Sequence, residues 1–304
     1  MIRLALGAFL VIVTLPVAAQ EPEESLRARL AAAPRLPLER GEFVVDPSVS
    51  LEEVSAVSVD AEGNLFVLHR PQSGDPIVVL DPEGRLIRSW GSGMFAIPHA
   101  IRIDPDGNVW TVDSSASTIY KFSVRGDLLL QTQLEPPARG PFPCGTADIA
   151  FGDNGHFLVA DGYCNGRIVE FGPDGQQLRE WGSRGASPGQ FNVVHSLALG
   201  HDGTVYVADR ENARLQRFGR EGEYHGLWEY AGQLFGVAFS PAGELYVSVS
   251  LGGEPEEAYV MKLDANTGEI LGYVEAFGHE LAFAPDGSLI PATVTDRILV
   301  FTPR

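Results

Sequence analysis

The chain has 304 residues and a net charge of −18, with 34 glycines, 21 prolines and 2 cysteines. This negative charge argues against binding to nucleic acid or to an anionic membrane surface, and it favours solubility. Frequent glycine and proline without long helical periodicity predict an all-β fold of many short strands joined by turns.

The first residues have the pattern of a secretory signal peptide, which we place at 1–19 with cleavage after Ala19. A positively charged start is followed by an apolar run from Leu4 to Val17 and then by small residues. The alternative is a membrane anchor, but a span needs ~20 apolar residues, and this run is shorter and contains Pro16 near its end. We therefore expect a secreted or periplasmic protein that is not attached to a membrane.

The segment 20–40 is acidic and then rich in alanine, arginine and proline. We interpret it mainly as a leader, although Glu24–Ala32 has the composition of a short helix. The folded domain is predicted at 41–304, and its first element is an isolated strand at Gly41–Val45.

A repeat fills the rest of the chain. Each copy has an alternating strand, a tight turn that ends in glycine and a second alternating strand, and most copies have two strands more. The turn glycines follow one another at 44, 48, 48, 40 and 44 residues, and they are Gly63, Gly107, Gly155, Gly203, Gly243 and Gly287. Four strands in about 40–50 residues are typical of a propeller blade, and the pattern resembles the NHL-repeat family.

We therefore predict a six-bladed β-propeller. The last repeat stops after its third strand, so the N-terminal strand is expected to close the last blade and to remove the open edges of the ring. The alternative, two separate β-sandwiches, does not explain the even spacing.

Histidines recur at one position of the repeat. The first strand of a propeller blade lines the central channel, and the position eight residues before the turn glycine is, in order, Ser55, His99, Ala147, His195, Phe235 and His279. Alternate blades thus aim three imidazoles at one point, which is a typical metal site with a fourth position open. Zinc is favoured, although copper, nickel and iron accept the same ligands. The alternative for each histidine is a hydrogen-bonded packing residue.

Three more side chains are expected at the histidine end of the channel, because the second strand of each blade returns there. Arg70 and Arg210 stand seven residues after a turn glycine, and Tyr163 stands eight after one. Guanidinium groups there can bind a substrate carboxylate. A phenol near a metal ion and arginines can have a lowered pKa and act as a base. The alternatives are a surface ion pair for Arg210, beside Glu211, and a packing role for Tyr163.

Cys144 and Cys164 flank the first two strands of the third repeat. An even number of cysteines in an exported protein predicts one disulfide, which would clamp the loop that carries Tyr163. The alternative is a thiolate nucleophile or metal ligand.

Several of these segments together resemble the peptidyl-α-hydroxyglycine α-amidating lyase family, whose members are six-bladed propellers. The matching segments are Ala160–Phe171, Pro188–Phe191, His195–Leu199, Val207–Arg214, Leu68–Arg70 and Pro98–Ile101. The resemblance implies zinc on the three histidines, Tyr163 as base, Arg70 and Arg210 at the substrate, and a Cys144–Cys164 disulfide.

The resemblance also implies a structural calcium ion deep in the channel. Its ligands would be the backbone carbonyls of Val57 and Ile101 and the carboxylate of Glu280, which stands where the family has aspartate.

The implied reaction is cleavage of a carbinolamide, such as a C-terminal α-hydroxyglycine, to an amide and glyoxylate. The expected partner is a small-molecule or peptide substrate with a terminal carboxylate, and the expected state is a monomer. The sequence lacks the family's second disulfide and a copper monooxygenase domain, so another carbinolamide or another small acid is an alternative substrate. The alternative functions are a non-catalytic NHL propeller that binds peptides or proteins, and a metal-dependent hydrolase of the lactonase type.

Overall fold

The structure is a computed structural model that describes residues 22–134, 145–252 and 255–304. Six four-stranded antiparallel sheets make up most of it. The first strands of consecutive sheets contact one another, and the first sheet contacts the last, so the predicted six-bladed β-propeller is confirmed. The predicted signal peptide, 1–19, lies outside the described residues. Within the described ranges, no helix is both long enough and apolar enough to cross a membrane.

The described part of the chain begins with helix α1, Pro22–Ala32, and strand β1, Leu38–Glu42. Blade one consists of β2 (Ala56–Val59), β3 (Leu65–Leu68), β4 (Ile77–Leu80) and β5 (Leu86–Trp90). Blade two consists of β6 (Pro98–Ile103), β7 (Val109–Asp113), β8 (Thr118–Phe122) and β9 (Leu128–Gln133). Blade three consists of β10 (Ile149–Phe151), β11 (Phe157–Asp161), β12 (Arg167–Phe171) and β13 (Gln177–Trp181).

The second half of the ring has the same plan. Blade four consists of β14 (Val194–Leu199), β15 (Val205–Asp209), β16 (Arg214–Phe218) and β17 (Tyr224–Glu229). Blade five consists of β18 (Gln233–Phe239), β19 (Leu245–Ser250), β20 (Ala258–Leu263) and β21 (Ile270–Glu275). Blade six consists of β22 (Glu280–Phe283), β23 (Leu289–Ala292) and β24 (Leu299–Pro303), and short 3-10 turns occur at Asp153–Gly155, Arg210–Asn212 and Pro255–Glu257.

The six turn glycines lie where the repeat predicts them, between the first and second strands of each blade. All six have a positive φ, between 76° and 88°. A side chain would strain this left-handed backbone, whereas glycine adopts it freely. The same turn therefore sets the same distance from glycine to channel in every blade.

The core lies between blades. One apolar cluster, for example, joins Phe66 and Ile77 of blade one to Ile101 and Tyr120 of blade two. A similar cluster fills each of the other interfaces. Because each sheet is covered on both faces, the second strand of every blade consists of buried residues.

The N-terminal segment differs from its interpretation as a leader. Leu26 and Leu30 of α1 are buried, at 1% and 3% exposure, in the cluster between blades four and five. Closure of the last blade by an N-terminal strand is confirmed. The strand lies earlier than predicted, since β1 pairs with β24 from Leu38 onward rather than from Gly41. Phe43 and Val45, which fall within the predicted strand, instead pack beyond β1 against the cluster between blades six and one.

Candidate metal centre

The three histidines predicted from the repeat converge in the channel. His99 lies in β6, His195 in β14, and His279 directly before β22. Their ring centroids are 4.6 to 5.1 Å apart, and their ligand atoms all lie within 4.8 Å of one another. All three residues are buried. Within the described residues, this is the one group of three or more histidine, cysteine, aspartate or glutamate side chains that could hold a metal ion.

Irregular strand pairing occurs at two of the three histidines. The register of β6 with β7 shifts between Pro98 and Ala100, which is at His99. The register of β14 with β15 shifts in the same way between Val194 and Ser196, at His195. A β-bulge leaves one residue unpaired and can redirect its side chain, which explains how a residue of a regular sheet points into the channel.

Each histidine is held by the blade that follows its own. Nδ1 of His99 lies 2.6 Å from the carbonyl oxygen of Ala147, and Nδ1 of His279 lies 2.8 Å from that of Ser55. Nδ1 of His195 lies 3.3 Å from the carbonyl oxygen of Phe235. Ser55, Ala147 and Phe235 are the three non-histidine residues at the same repeat position, so the six positions alternate between imidazole and carbonyl acceptor.

This pattern sets the chemistry of the triad. Because a carbonyl only accepts, each Nδ1 carries the proton and each Nε2 keeps its lone pair. Nε2 of His195 is buried without a hydrogen-bond partner, and Nε2 of His99 accepts from the Tyr163 hydroxyl at 2.7 Å. Three converging nitrogen lone pairs, one of them an orphaned buried atom, fit a metal ion.

The triad is electrically neutral. Burial lowers the pKa of all three histidines, that of His279 to about 3 and those of His99 and His195 well below their ordinary value. The positive charges of Arg70 and Arg210 add to the lowering. Neutral imidazole is the form that binds metal ions.

The structure brings Arg70, Tyr163 and Arg210 to the same end of the channel. The Arg210 guanidinium lies over the Tyr163 ring at 5.5 Å and over the Phe235 ring at 5.4 Å. Nε of Arg70 donates to the carbonyl of Pro98, the residue before His99, at 3.1 Å. Arg210 also forms the ion pair with Glu211 that was the alternative interpretation, at 2.8 Å.

Tyr163 differs from the expectation of a lowered pKa. Burial raises the pKa of this phenol above its ordinary value, and the charges of Arg210 and Arg70 offset only part of the rise. The physical reason is that the free energy needed to remove a phenolate from water exceeds the stabilisation that the two guanidinium groups provide. Without further positive charge, Tyr163 is therefore a neutral hydroxyl that donates to His99.

Close backbone contacts fix the loops that carry these residues. A Cβ at Gly162, beside Tyr163, would lie 1.9 Å from the carbonyl oxygen of Val194, so only glycine fits against the His195 strand. Val193 has φ 66°, an unusual conformation for a β-branched residue, and its carbonyl accepts from the Arg210 amide at 3.0 Å. The Tyr163 and Arg210 loops are thus both attached to the segment that carries His195.

A layer of charge lies directly below the triad, and sequence reasoning missed most of it. Arg102 contacts the Glu280 carboxylate and donates to Oδ2 of Asp148 at 2.9 Å and to the carbonyl of Ile101 at 3.2 Å. The Ser196 hydroxyl donates to Oδ2 of Asp148 at 2.7 Å. We call Arg102, Asp148, Ser196 and Glu280 the charged layer.

A signal for this layer was present in the repeat. Asp148, Ser196 and Glu280 all stand seven residues before a turn glycine, one position after the histidine register, where the other blades have alanine or glycine. Arg102 stands five residues before its glycine and reaches the layer through its long side chain. Phe277 was also missed, and its ring lies 5.0 Å from that of Phe235 beside the triad.

The residues implied to bind calcium do not offer an open oxygen cage. Glu280 and the Ile101 carbonyl both contact the Arg102 guanidinium, which is a cation from the chain itself. Val57 is buried in β2 and lines the same cavity as Arg102, a space of about 490 Å³ toward the turn glycines. The donor set therefore does not fit a calcium ion while Arg102 lies among it.

Cys144 lies outside the described residues, so its disulfide with Cys164 stays a prediction. Among the residues that the structure does describe, no cysteine is free.

Comparisons with known proteins agree with the fold and indicate the family. An NHL-repeat family model matches residues 191–218. Peptidyl-α-hydroxyglycine α-amidating lyase 2 of Drosophila melanogaster is 30% identical over 286 residues, which cover 80% of this chain and 69% of that protein. The chain belongs to the family of peptidyl-α-hydroxyglycine α-amidating lyases.

Other members differ in length. A probable lyase of this family from Caenorhabditis elegans is 28% identical over 80% of both chains. Peptidyl-glycine α-amidating monooxygenase A of Xenopus laevis is 31% identical over 83% of this chain, but the match covers 33% of that protein. This lyase-family chain thus spans about a third of the length of the frog relative.

Solved structures agree with the propeller fold of this lyase family. The chain superposes on a streptogramin B lyase with a TM-score of 0.63 at 16% identity, over 88% of this chain and 98% of that one. Virginiamycin B lyase from Staphylococcus aureus gives a TM-score of 0.61 at 15% identity, over 87% and 98% of the two chains. At such identities the likeness shows the fold alone.

The buried neutral histidines predict how the stability of the metal-free protein depends on pH. Because each imidazole has a lower pKa when folded than when unfolded, the unfolded state binds more protons below about pH 6.5. The free energy of unfolding therefore has its full value above that pH. Below it, each histidine lowers the free energy of unfolding by up to about 1.4 kcal/mol per pH unit. For His279 the fall continues toward pH 3. Urea unfolding in a chelator at several pH values measures this slope.

His279→Gln removes one of these imidazoles. It should reduce the change of the unfolding free energy with pH by the amount that one histidine contributes. Exchange of the exposed His201 to Gln is the matched control and should leave the slope unchanged. An equal slope in wild type and His279→Gln would contradict the prediction.

Proposed function

We propose that this protein is a zinc-dependent lyase that cleaves a carbinolamide, such as a C-terminal α-hydroxyglycine, to an amide and glyoxylate. The observation that carries the proposal is the set of three converging histidine Nε2 atoms at the channel end in a member of this lyase family. The neutral state of the imidazoles and their carbonyl partners support a nitrogen-ligand metal site.

Zinc is the metal that we propose for His99, His195 and His279. Three imidazoles without thiolates, with a further position open to substrate, are a common catalytic zinc arrangement. Zinc there would supply a Lewis acid for a substrate oxygen and further positive charge beside Tyr163.

Arg70 and Arg210 are proposed to bind the substrate carboxylate. Both lower the pKa of the buried histidines by their charge, so both act electrostatically on the channel end. A guanidinium matches a carboxylate with parallel donors, and the interaction strengthens away from water. Although the whole chain is acidic, its site is therefore locally positive and attracts an anionic substrate.

Tyr163 is proposed to be the base. Its hydroxyl reaches the triad and lies beside Arg210, so a substrate hydroxyl bound there would be within its reach. Removal of the hydroxyl proton turns the carbinol C–O bond into a carbonyl while the C–N bond breaks. The electron pair of that bond leaves on nitrogen, which takes back one proton to become the amide. The products are the amide and glyoxylate, without an oxidant or reductant.

Two further features of the proposal concern the setting of the enzyme. We propose that the protein is exported, on the basis of the pattern at 1–19, and that Cys144 and Cys164 form a disulfide that holds the Tyr163 loop. The substrate is an anion with a terminal carboxylate, free or at the end of a peptide.

Turnover of α-hydroxyhippurate to glyoxylate tests the proposed reaction. We expect the zinc-loaded protein to release glyoxylate. We expect His279→Ala to lose both zinc and activity, and Tyr163→Phe to keep zinc but lose roughly 10²–10⁴-fold in kcat because it has no base. His201→Ala, at a surface turn, is the control and should keep both. A zinc-loaded wild type that releases no glyoxylate defeats the lyase proposal, and full kcat in Tyr163→Phe defeats the role of the base.

Arg70 allows a test of substrate recognition. If its guanidinium binds the carboxylate, Arg70→Met should lower kcat/KM for α-hydroxyhippurate by roughly 10–100-fold, the value of a charged hydrogen bond. The substitution should change kcat/KM little for the carboxamide analogue of the same substrate, because this analogue has no negative charge. Arg70→Lys keeps the charge and should give an intermediate value. Equal losses on acid and carboxamide would show that Arg70 acts on the site without binding the carboxylate.

A further inference from the structure

The charged layer contains two buried acids and one base. Asp148 and Glu280 are both fully buried, and the Arg102 side chain is 16% exposed. Arg102 contacts both carboxylates. Buried carboxylates need a cation or hydrogen-bond donors, since water is not available to them. The guanidinium supplies that cation from the chain.

The charged layer is attached to each part of the triad above it. Asp148 follows Ala147, whose carbonyl holds His99. Ser196 follows His195, and Glu280 follows His279. The Ser196 hydroxyl also accepts from the Val237 amide of blade five at 3.1 Å. Ser196 and Glu280 are covalently linked to triad histidines, and Asp148 is linked to the residue whose carbonyl holds His99. A shift of the layer would therefore move the three Nε2 atoms relative to one another.

Burial and the neighbouring charges have opposite effects on the pKa of Arg102, and the effect of the charges is larger. Burial alone would lower the pKa of the guanidinium, but Asp148 and Glu280 raise it above its ordinary value. The guanidinium is therefore permanently charged in this position. Its donors contact Asp148, Glu280 and the Ile101 carbonyl at once, and the planar guanidinium holds these donors in a fixed geometry that a lysine ammonium group does not have.

We propose that Arg102 is the built-in cation of the channel, that it takes the place of a structural calcium ion, and that it sets the spacing of the three histidines. This inference rests on the proposed zinc site, but it does not depend on which reaction the site catalyses. Oε1 of Glu280 is buried without a hydrogen-bond partner, and a calcium ion held there is the competing occupant that an experiment has to distinguish.

Calcium dependence of the wild-type protein is the first test. The protein is reloaded with zinc in calcium-free buffer, its metals are measured by elemental analysis, and its Tm is measured with and without millimolar calcium chloride. We expect zinc without calcium, and a Tm that calcium does not change. About one bound calcium ion per chain, or a clear rise of Tm on addition of calcium, overturns the proposal.

Variants of Arg102 are the second test. Arg102→Ala leaves the two carboxylates without a cation, so we expect a lower Tm that calcium partly restores, and a zinc affinity weakened by roughly 10–100-fold, as for other residues that orient metal ligands. Arg102→Lys keeps the charge but loses the planar, forked donor geometry of the guanidinium, so its Tm and zinc affinity should lie between those of wild type and Arg102→Ala. Zinc affinity is measured by competition with a chromophoric chelator, which does not require activity.

Arg179 provides a matched control. It forms an ion pair with the buried Glu170 at 2.6 Å on the outer part of blade three, so its loss also removes a cation from a buried carboxylate. Glu170 keeps its contacts with His156 and Arg220. Arg179→Ala should lower Tm and leave zinc affinity unchanged. Unchanged Tm and zinc affinity in Arg102→Ala would overturn the proposal, as would equal loss of zinc affinity in the Arg179 variant. If Arg102→Ala does not fold, Arg102→Lys and the wild-type calcium measurement still decide.

Discussion

The hydrogen bond from each histidine Nδ1 to the next blade is the interaction on which the site depends. A propeller repeats one backbone position six times around an axis, and here three of those positions carry imidazoles while the other three supply carbonyl oxygens. A carbonyl fixes both the orientation of the ring and the position of its proton. The result is three lone pairs that face one another before any metal is bound, so little reorganisation is needed when an ion enters.

The channel contains two layers of side chains that differ in charge. The upper layer must be neutral, because protonated imidazoles neither bind a metal ion nor tolerate burial beside one another. The lower layer contains the charged groups, in which Arg102 contacts Asp148 and Glu280, and burial together with the charge of Asp148 raises the pKa of Glu280 well above its ordinary value. The rim then adds Arg70 and Arg210, which favour an anionic ligand and oppose protonation of the histidines. Positive charge thus lies above a neutral triad, whereas the guanidinium below it is paired with acidic side chains.

The regular parts of this arrangement could be predicted from the sequence. Turn glycines are visible as a period, and a fixed distance from such a glycine locates a channel position, which is why His99, His195 and His279 were identified together. The same count found Asp148 and Ser196 only in retrospect, since a polar residue one position further was not recognised as a second layer. Arg102 could not be found in this way, because the reach of a long side chain is not set by the strand period.

Other differences come from packing and solvation, which sequence patterns do not record. Helix α1 has few apolar residues, yet Leu26 and Leu30 pack into an interface that exists only after the blades have formed. The effect of burial on the Tyr163 pKa likewise depends on how much water the folded loop excludes. Local pattern therefore predicted the ring and its register, whereas the balance of charge inside the channel required coordinates.

The central claim is that three Nε2 atoms hold one metal ion on the channel axis. A crystal structure of the metal-loaded protein, with diffraction data collected on both sides of the zinc absorption edge, tests it directly. The account predicts one anomalous peak about 2.1 Å from Nε2 of His99, His195 and His279, with each Nδ1 still bonded to its carbonyl. A metal bound through Nδ1, a peak at the charged layer instead, or no peak between the three imidazoles would contradict it.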